Sequence, residues 1–289
     1  MRWDDFRRSD NVEDAGSGGG FGFGGGFRLG GGAIIAVIVI SLLLGKNPLD
    51  VLTLLETGAP PTAQAPAQGP PSAQVQKDPQ RDFVRAILGD TEDFWGAELA
   101  RHGARYQPPK LTLFHGQVSS ACGFASAAMG PFYCPGDERV YLDLRFFEEL
   151  SQRFGAPGDF ARAYVIAHEI GHHVQNQLGL MRGVQQRSEN ASERVRNALS
   201  VRQELQADCL AGVWGHSAQQ RGALDTRDIE QGLAAAASVG DDRVQQQSRG
   251  YAVPESFTHG SSTQRVKWFR IGLSSGDLRQ CDTFSAASL

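Results

Sequence analysis

Residues 163–179 read AYVIAHEIGHHVQNQLG, an apolar run into which two histidines and a glutamate are set. Asp159, behind GAPG, is a helix-capping type and Gly179 a helix stop, so the stretch between them predicts one helix of about five to six turns. Ala163, Val165, Ile166, Ala167, Ile170 and Val174 leave it apolar on nearly every side, which makes it a core helix of a folded domain. Such a helix does not bury imidazoles and a carboxylate without partners, because each unpaired polar group costs roughly 1–3 kcal/mol. His168 and His172 stand one turn apart on a shared face, where two ring nitrogens can converge on one tetrahedral ion. Glu169, about 100° around the helix from His168, can reach a water bound to that ion. The pattern is H-E-x-x-H, and the ion it points to is Zn2+. His173 faces away from the His168 and His172 side and reads as a supporting or surface histidine.

A catalytic zinc needs a third protein ligand and an open fourth position. The extended H-E-x-x-H-x-x-G-x-x-H pattern is excluded, because its Gly and last His positions hold Gln175 and Leu178. The best source is RQELQADCLAGVW, where Glu204 and Asp208 stand four apart on a helix whose other face carries Leu205, Leu210 and Val213. Glu204 is the candidate ligand, and Asp208, one turn on, the candidate acceptor for the outer nitrogen of a ligand histidine. His259, in ESFTHGSS, competes for the third position, whereas His102, His115 and His216 carry no such context.

The remaining chain divides by composition. Residues 16–32 are glycine-rich, and with the residues before them make 1–28 a flexible, cytoplasmic lead-in. An uncharged apolar run at 29–45, between Arg28 and Lys46, is near the lower limit for one transmembrane helix. Asp4, Asp5, Asp10, Glu13 and Asp14 in the preceding segment argue against a cleavable leader with its brief basic start. Arg7, Arg8 and Arg28 before the run favour a cytoplasmic N-terminus, which would place the chain beyond Lys46 in the periplasm or outside the cell. Residues 46–80 are a Pro/Ala/Gln-rich linker, and 81–289 the folded domain. Within it, 82–103 predicts two amphipathic helices separated by a turn at Gly89 and Asp90; strands are expected around Leu111 and Leu113 and over 139–144. Helical patterns dominate from Phe146 on, so the fold class is α+β, mainly helical with a small sheet. A net charge of −4 without a basic stripe speaks against a nucleic-acid partner.

HEIGHHVQ, ELQADCLAGVW, GPFYCPGDERVYLDL, FTHGSSTQR and the opening MRWDDFRRSDNVED together resemble the putative neutral zinc metallopeptidase family of membrane-anchored bacterial proteins. The resemblance implies a zincin fold of the gluzincin kind, with His168, His172 and Glu204 as zinc ligands. It covers nearly the whole chain outside the linker and bears on chemistry more than on substrate. The expected activity is endopeptidase cleavage by a zinc-activated water with Glu169 as general base. His259 is the candidate donor to the charge that develops opposite the metal, with a loop-stabilising role as its alternative. The strand at 139–144 is the expected edge against which an extended peptide could pair. Alternative functions are a zinc-holding membrane scaffold without turnover and a hydrolase of non-peptide amides. Of three possible disulfide connectivities, position in the chain favours Cys122 with Cys134 and Cys209 with Cys281, provided the domain lies outside the cytosol.

Overall fold

Helix α1 (Pro79–Arg101) opens on Asp78, whose side chain accepts from the Gln80 and Arg81 amides, with proline at the first helical position where its missing N–H is no loss. The computed structural model describes residues 1–15 and 78–289. The expected turn at Gly89 and Asp90 is absent and one helix runs through both positions. Gly89 serves a contact instead: a Cβ there would sit 2.2 Å from the Arg7 carbonyl oxygen. Asp90 is buried, accepting from the Trp214 indole at 2.9 Å and from both ends of the Arg221 guanidinium.

The contact at Gly89 belongs to a segment whose composition predicts a loose lead-in. Residues 1–15 are not a flexible lead-in but part of the folded unit. Trp3 donates to Asp159 at 3.0 Å, Arg7 and Ser9 both reach the buried Glu92 at 2.7 Å, and Arg8 pairs with Asp82. Strand β1 (Val12–Asp14) then lies parallel to β2 (Lys110–Phe114), with Val12 opposite Leu111. Nothing local betrays this strand, because its partner is distant in sequence and it has too few residues to show a period. Residues 1–15 and 78–289 therefore share one side of any membrane, since one sheet cannot be divided across a bilayer. The apolar run at 29–45, the linker up to 77 and the glycine-rich stretch from 16 lie outside the described residues. Among the described residues no helix is long and apolar enough to cross a membrane.

The sheet has the order β1-β2-β6-β5, with β6 (Arg139–Asp143) parallel to β2 and β5 (Phe132–Cys134) antiparallel to β6. The strand expected as the peptide-pairing edge, β6, is an interior strand, and among the described residues β5 and β1 are the edge strands. Four of the five β6 residues are buried, as a strand covered on both faces requires. A hairpin of β3 (Gln117–Ser120) and β4 (Gly123–Ser126) packs beside the sheet around Phe114, Val118 and Tyr141. The Cys122–Cys134 disulfide ties that hairpin to the edge strand.

Seven further helices complete the domain: α2 (Arg145–Gln152), α3 (Asp159–Gln177), α4 (Leu180–Ser188), α5 (Glu193–Gln220), α6 (Thr226–Ser238), α7 (Asp241–Arg249) and α8 (Ser262–Ser275). The fold is thus α+β and mostly helical. Helix α3 is the core helix of the opening run; Gly158 rather than Asp159 occupies its N-cap, and Gly179 comes after its end in the left-handed conformation. Asp159 is instead the first helical residue, where its charge complements the helix N-terminus while it accepts from Trp3. Helix α3 packs on α5, and α5 on α8. Both crossings depend on glycine: a Cβ on Gly171 would meet Ala207 O at 2.9 Å, and one on Gly272 would meet Cys209 O at 1.9 Å. The Cys209–Cys281 disulfide joins α5 to the chain just after α8.

Candidate metal centre

Helix α3 carries His168, Glu169 and His172 on its cleft side, and α5, crossing it at Gly171, brings Glu204 against both imidazoles. His168 Nε2 lies 3.2 Å from Glu204 Oε2, and His172 Nε2 lies 3.4 Å from Glu204 Oε1. Ligand atoms bound tetrahedrally to zinc at about 2.0–2.1 Å stand roughly 3.3–3.4 Å apart, and each imidazole nitrogen stands at about that distance from one of the two Glu204 oxygens. The three form a group able to hold a metal, and all three are buried or nearly so. Glu204, not His259, is the third member of that group.

The outer nitrogens decide the chemistry. His168 Nδ1 donates to Asp208 Oδ1 at 2.9 Å, the arrangement expected from the spacing of Glu204 and Asp208. His172 Nδ1 donates to Gln175 Oε1 at 2.9 Å, and Gln175 Nε2 in turn donates to Gln203 O and Gln206 Oε1. With both Nδ1 protons so engaged, neutral imidazoles present bare Nε2 lone pairs to a carboxylate. Three acceptors then face one point, and that point requires a cation. With protein groups alone a proton meets the requirement: burial opposes charge on His168, but Asp208 and then Glu204 outweigh it and raise its pKa to about 10. Glu204 is held well below the usual carboxylate range, since His172 and hydrogen bonds from both imidazoles overcome its burial. The donor set of two histidines and a glutamate fits zinc at a site with one open position.

A cleft of about 570 Å³ lies over this cluster. Glu169, 8% exposed, lines it beside the ligands. Residues 128–133, ending in the free edge β5, form one wall, and Phe146 and Phe154 form another. His259 lines the cleft too; its Nδ1 lies 3.2 Å from Asp241 Oδ1, and Asp241 Oδ2 also takes the amides of Thr258, His259 and Gly260. The Asp241 hydrogen bond raises the His259 pKa against the pull of burial.

His173 is buried rather than at the surface, between the Tyr133 hydroxyl at 3.0 Å and the Gln107 carbonyl at 2.7 Å; burial lowers its pKa. It braces the α3 helix against the edge strand. His102, His115 and His216 do not line the cleft. Four residues of the centre escape a reading of the sequence alone: Gln175, Gln206, Tyr164 and Arg265. Gln175 is three residues beyond His172, a spacing that helix geometry marks as a contact. Arg265 lies in the FTHGSSTQR motif but has no local signal of a role.

The family model described as "Putative neutral zinc metallopeptidase" matches residues 1–284. The chain belongs to that family. Its similarity to relatives runs the length of the molecule: the uncharacterized protein YpfJ of Escherichia coli strain K12 is 51% identical over 98% of this chain and 99% of its own. The uncharacterized protein Rv2575 of Mycobacterium tuberculosis strain H37Rv is 50% identical over 64% of this chain and 65% of its own. No solved structure matches. Membership extends over residues 1–15 as well as the centre, in keeping with the packing of both into one unit.

Proposed function

We propose that this family member is a zinc endopeptidase acting on extended polypeptide. The observation that carries the reading is the gathering of two imidazole nitrogens and the Glu204 carboxylate within 4.8 Å of one another, at a cleft that Glu169 also lines. Bound zinc would be held by His168, His172 and Glu204, and supplies a Lewis acid that lowers the pKa of a bound water toward neutrality. Glu169, a carboxylate lining the cleft, is the base that would take a proton from the attacking water and pass it to the leaving amine. His259, aimed by Asp241, donates to the oxygen of the scissile carbonyl as negative charge grows on it. The open edge of β5 offers main-chain hydrogen bonds to an extended substrate, which favours a peptide over a small amide. Phe146, Phe154 and Val165 give the adjoining part of the cleft an apolar surface, suited to a bulky apolar side chain.

The two disulfides support an oxidising, extracytoplasmic compartment for the domain. Residues 1–15 would lie there with it, so the N-in, domain-out arrangement is replaced in this proposal.

The test compares the parent chain with Glu169→Gln for zinc content and cleavage of an unfolded protein. The expected result is equal zinc and turnover reduced roughly 100- to 10,000-fold. Equal cleavage by both chains would refute the role of Glu169, and absence of zinc from both would refute the ligand set.

A further inference from the structure

Asp208 accepts four hydrogen bonds, all from side chains. It is wholly buried, and besides His168 Nδ1 it accepts from Arg265 Nε at 2.8 Å on Oδ2, from Arg265 Nη2 at 2.9 Å on Oδ1, and from the Tyr164 hydroxyl. Arg265 is 4% exposed; it also donates to the Tyr164 oxygen at 3.1 Å and the Val239 carbonyl at 3.3 Å, and its Nη2 lies 3.3 Å from His168 Nδ1, whose proton is already given to Asp208. It comes from α8, which starts at a Ser261–Gln264 capping box and reaches the α5 backbone only because Gly272 and Gly212 leave room. A Cβ on Gly212 would fall 2.2 Å from Phe269 O. The tight α5–α8 crossing thus serves to bring one guanidinium against one carboxylate.

We propose, resting on the zinc reading above, that Arg265 is a positioning residue of the metal centre. Its planar fork fixes both oxygens of Asp208, and Asp208 so fixed holds the His168 ring with Nδ1–H outward and Nε2 toward the metal position. A carboxylate held by Tyr164 and His168 alone retains rotation about its side-chain bonds, and the ring then moves with it. Lysine offers a single point of charge and cannot grip both oxygens. The two ligand histidines are consequently supported by different means. His168 answers to a buried ion pair, and His172 to the neutral carboxamides of Gln175 and Gln206.

The experiment is a double-mutant cycle read as zinc affinity by chelator competition, on the full chain, with Arg265→Leu, Arg265→Lys, Asp208→Asn and the combined variants. Removing an outer partner of a ligand typically weakens metal binding roughly 10- to 100-fold, and that is the loss expected for Arg265→Leu. Arg265→Lys should recover only part of it. In the Asp208→Asn background the Arg265 substitutions should add less than about twofold, because the residue acts through Asp208. Circular dichroism selects the variants that fold; should Arg265→Leu fail to fold, the charge-preserving Arg265→Lys completes the cycle. Zinc affinity within about twofold of the parent for both Arg265 variants, or an undiminished loss in the Asp208→Asn background, would overturn the inference. His168→Ala separates this outcome from failure of the metal reading, since that variant must lose zinc whether or not Arg265 matters.

Discussion

The two disulfides close loops of very different size, and their removal should have correspondingly different effects. Cys209 and Cys281 are 72 residues apart, Cys122 and Cys134 only 12. Loop-closure entropy then gives a loss of about 4 kcal/mol for the paired change Cys209→Ser with Cys281→Ser, against about 3 kcal/mol for Cys122→Ser with Cys134→Ser. The longer bridge has a second effect, because the Cys281 carbonyl accepts from Gln206 Nε2 at 3.0 Å, and Gln206 supports Gln175, which holds His172. Urea unfolding under non-reducing conditions measures the first effect with zinc chelated and the sum of the two with zinc in excess. In chelator the Cys209/Cys281 variant should be the less stable, and excess zinc should stabilise it less than it does the Cys122/Cys134 variant. Equal losses in chelator would refute the loop-length argument, and equal responses to zinc would refute the link from Cys281 to His172.

Three further outcomes are expected. Glu92→Ala removes the buried acceptor shared by Arg7, Ser9 and Asn11 and should lower stability by about 2 kcal/mol, with faster amide hydrogen exchange confined to residues 1–15 and their contacts. Gly272→Ala drives a methyl into the Cys209 carbonyl and should destabilise the fold by about 3 kcal/mol and weaken zinc binding together, read by thermal unfolding with and without zinc. For Asp143, burial raises the pKa, but hydrogen bonds from Arg145 and the Gly116 amide outweigh it and bring it to about 2. A native pKa below the unfolded value means that the contribution exists above pH of about 4 and is lost as pH falls toward about 2. The stability gap between the parent and Asp143→Asn should therefore close over that interval; Arg145 is largely exposed, so the gap should not exceed about 1 kcal/mol. A gap that widens with acid would contradict the assignment.

The candidate metal centre is largely legible in the sequence because its residues come in pairs that helix geometry brings onto one face. His168, Glu169 and His172 lie on successive turns of one apolar helix, and Glu204 and Asp208 repeat the logic on another. The residues that escape are set by contacts between distant segments. Arg265 meets Asp208 only because two glycines let α8 approach α5, and a glycine in a helical pattern reads equally well as a weak point or a turn. Gly89 reads falsely as a turn for the same reason, since its use depends on the Arg7 backbone more than eighty positions away. The edge strand β5 has three residues, too few to alternate visibly, so the stronger alternation of β6 draws the edge assignment to an interior strand.

The parallel pairing of β1 with β2 carries a consequence for how the chain is made. Val12 meets Leu111, and Trp3 meets Asp159, 156 positions away. Residues 1–15 can thus be fully buried only once positions 111 and 159 have been made, and a chain halted before Asp159 lacks both helix α3 and the acceptor for Trp3. Until Val12–Asp14 docks, β2 keeps one edge open to any other extended strand nearby. The interval before residues 1–15 dock is accordingly when that edge of the sheet is most exposed to mispairing.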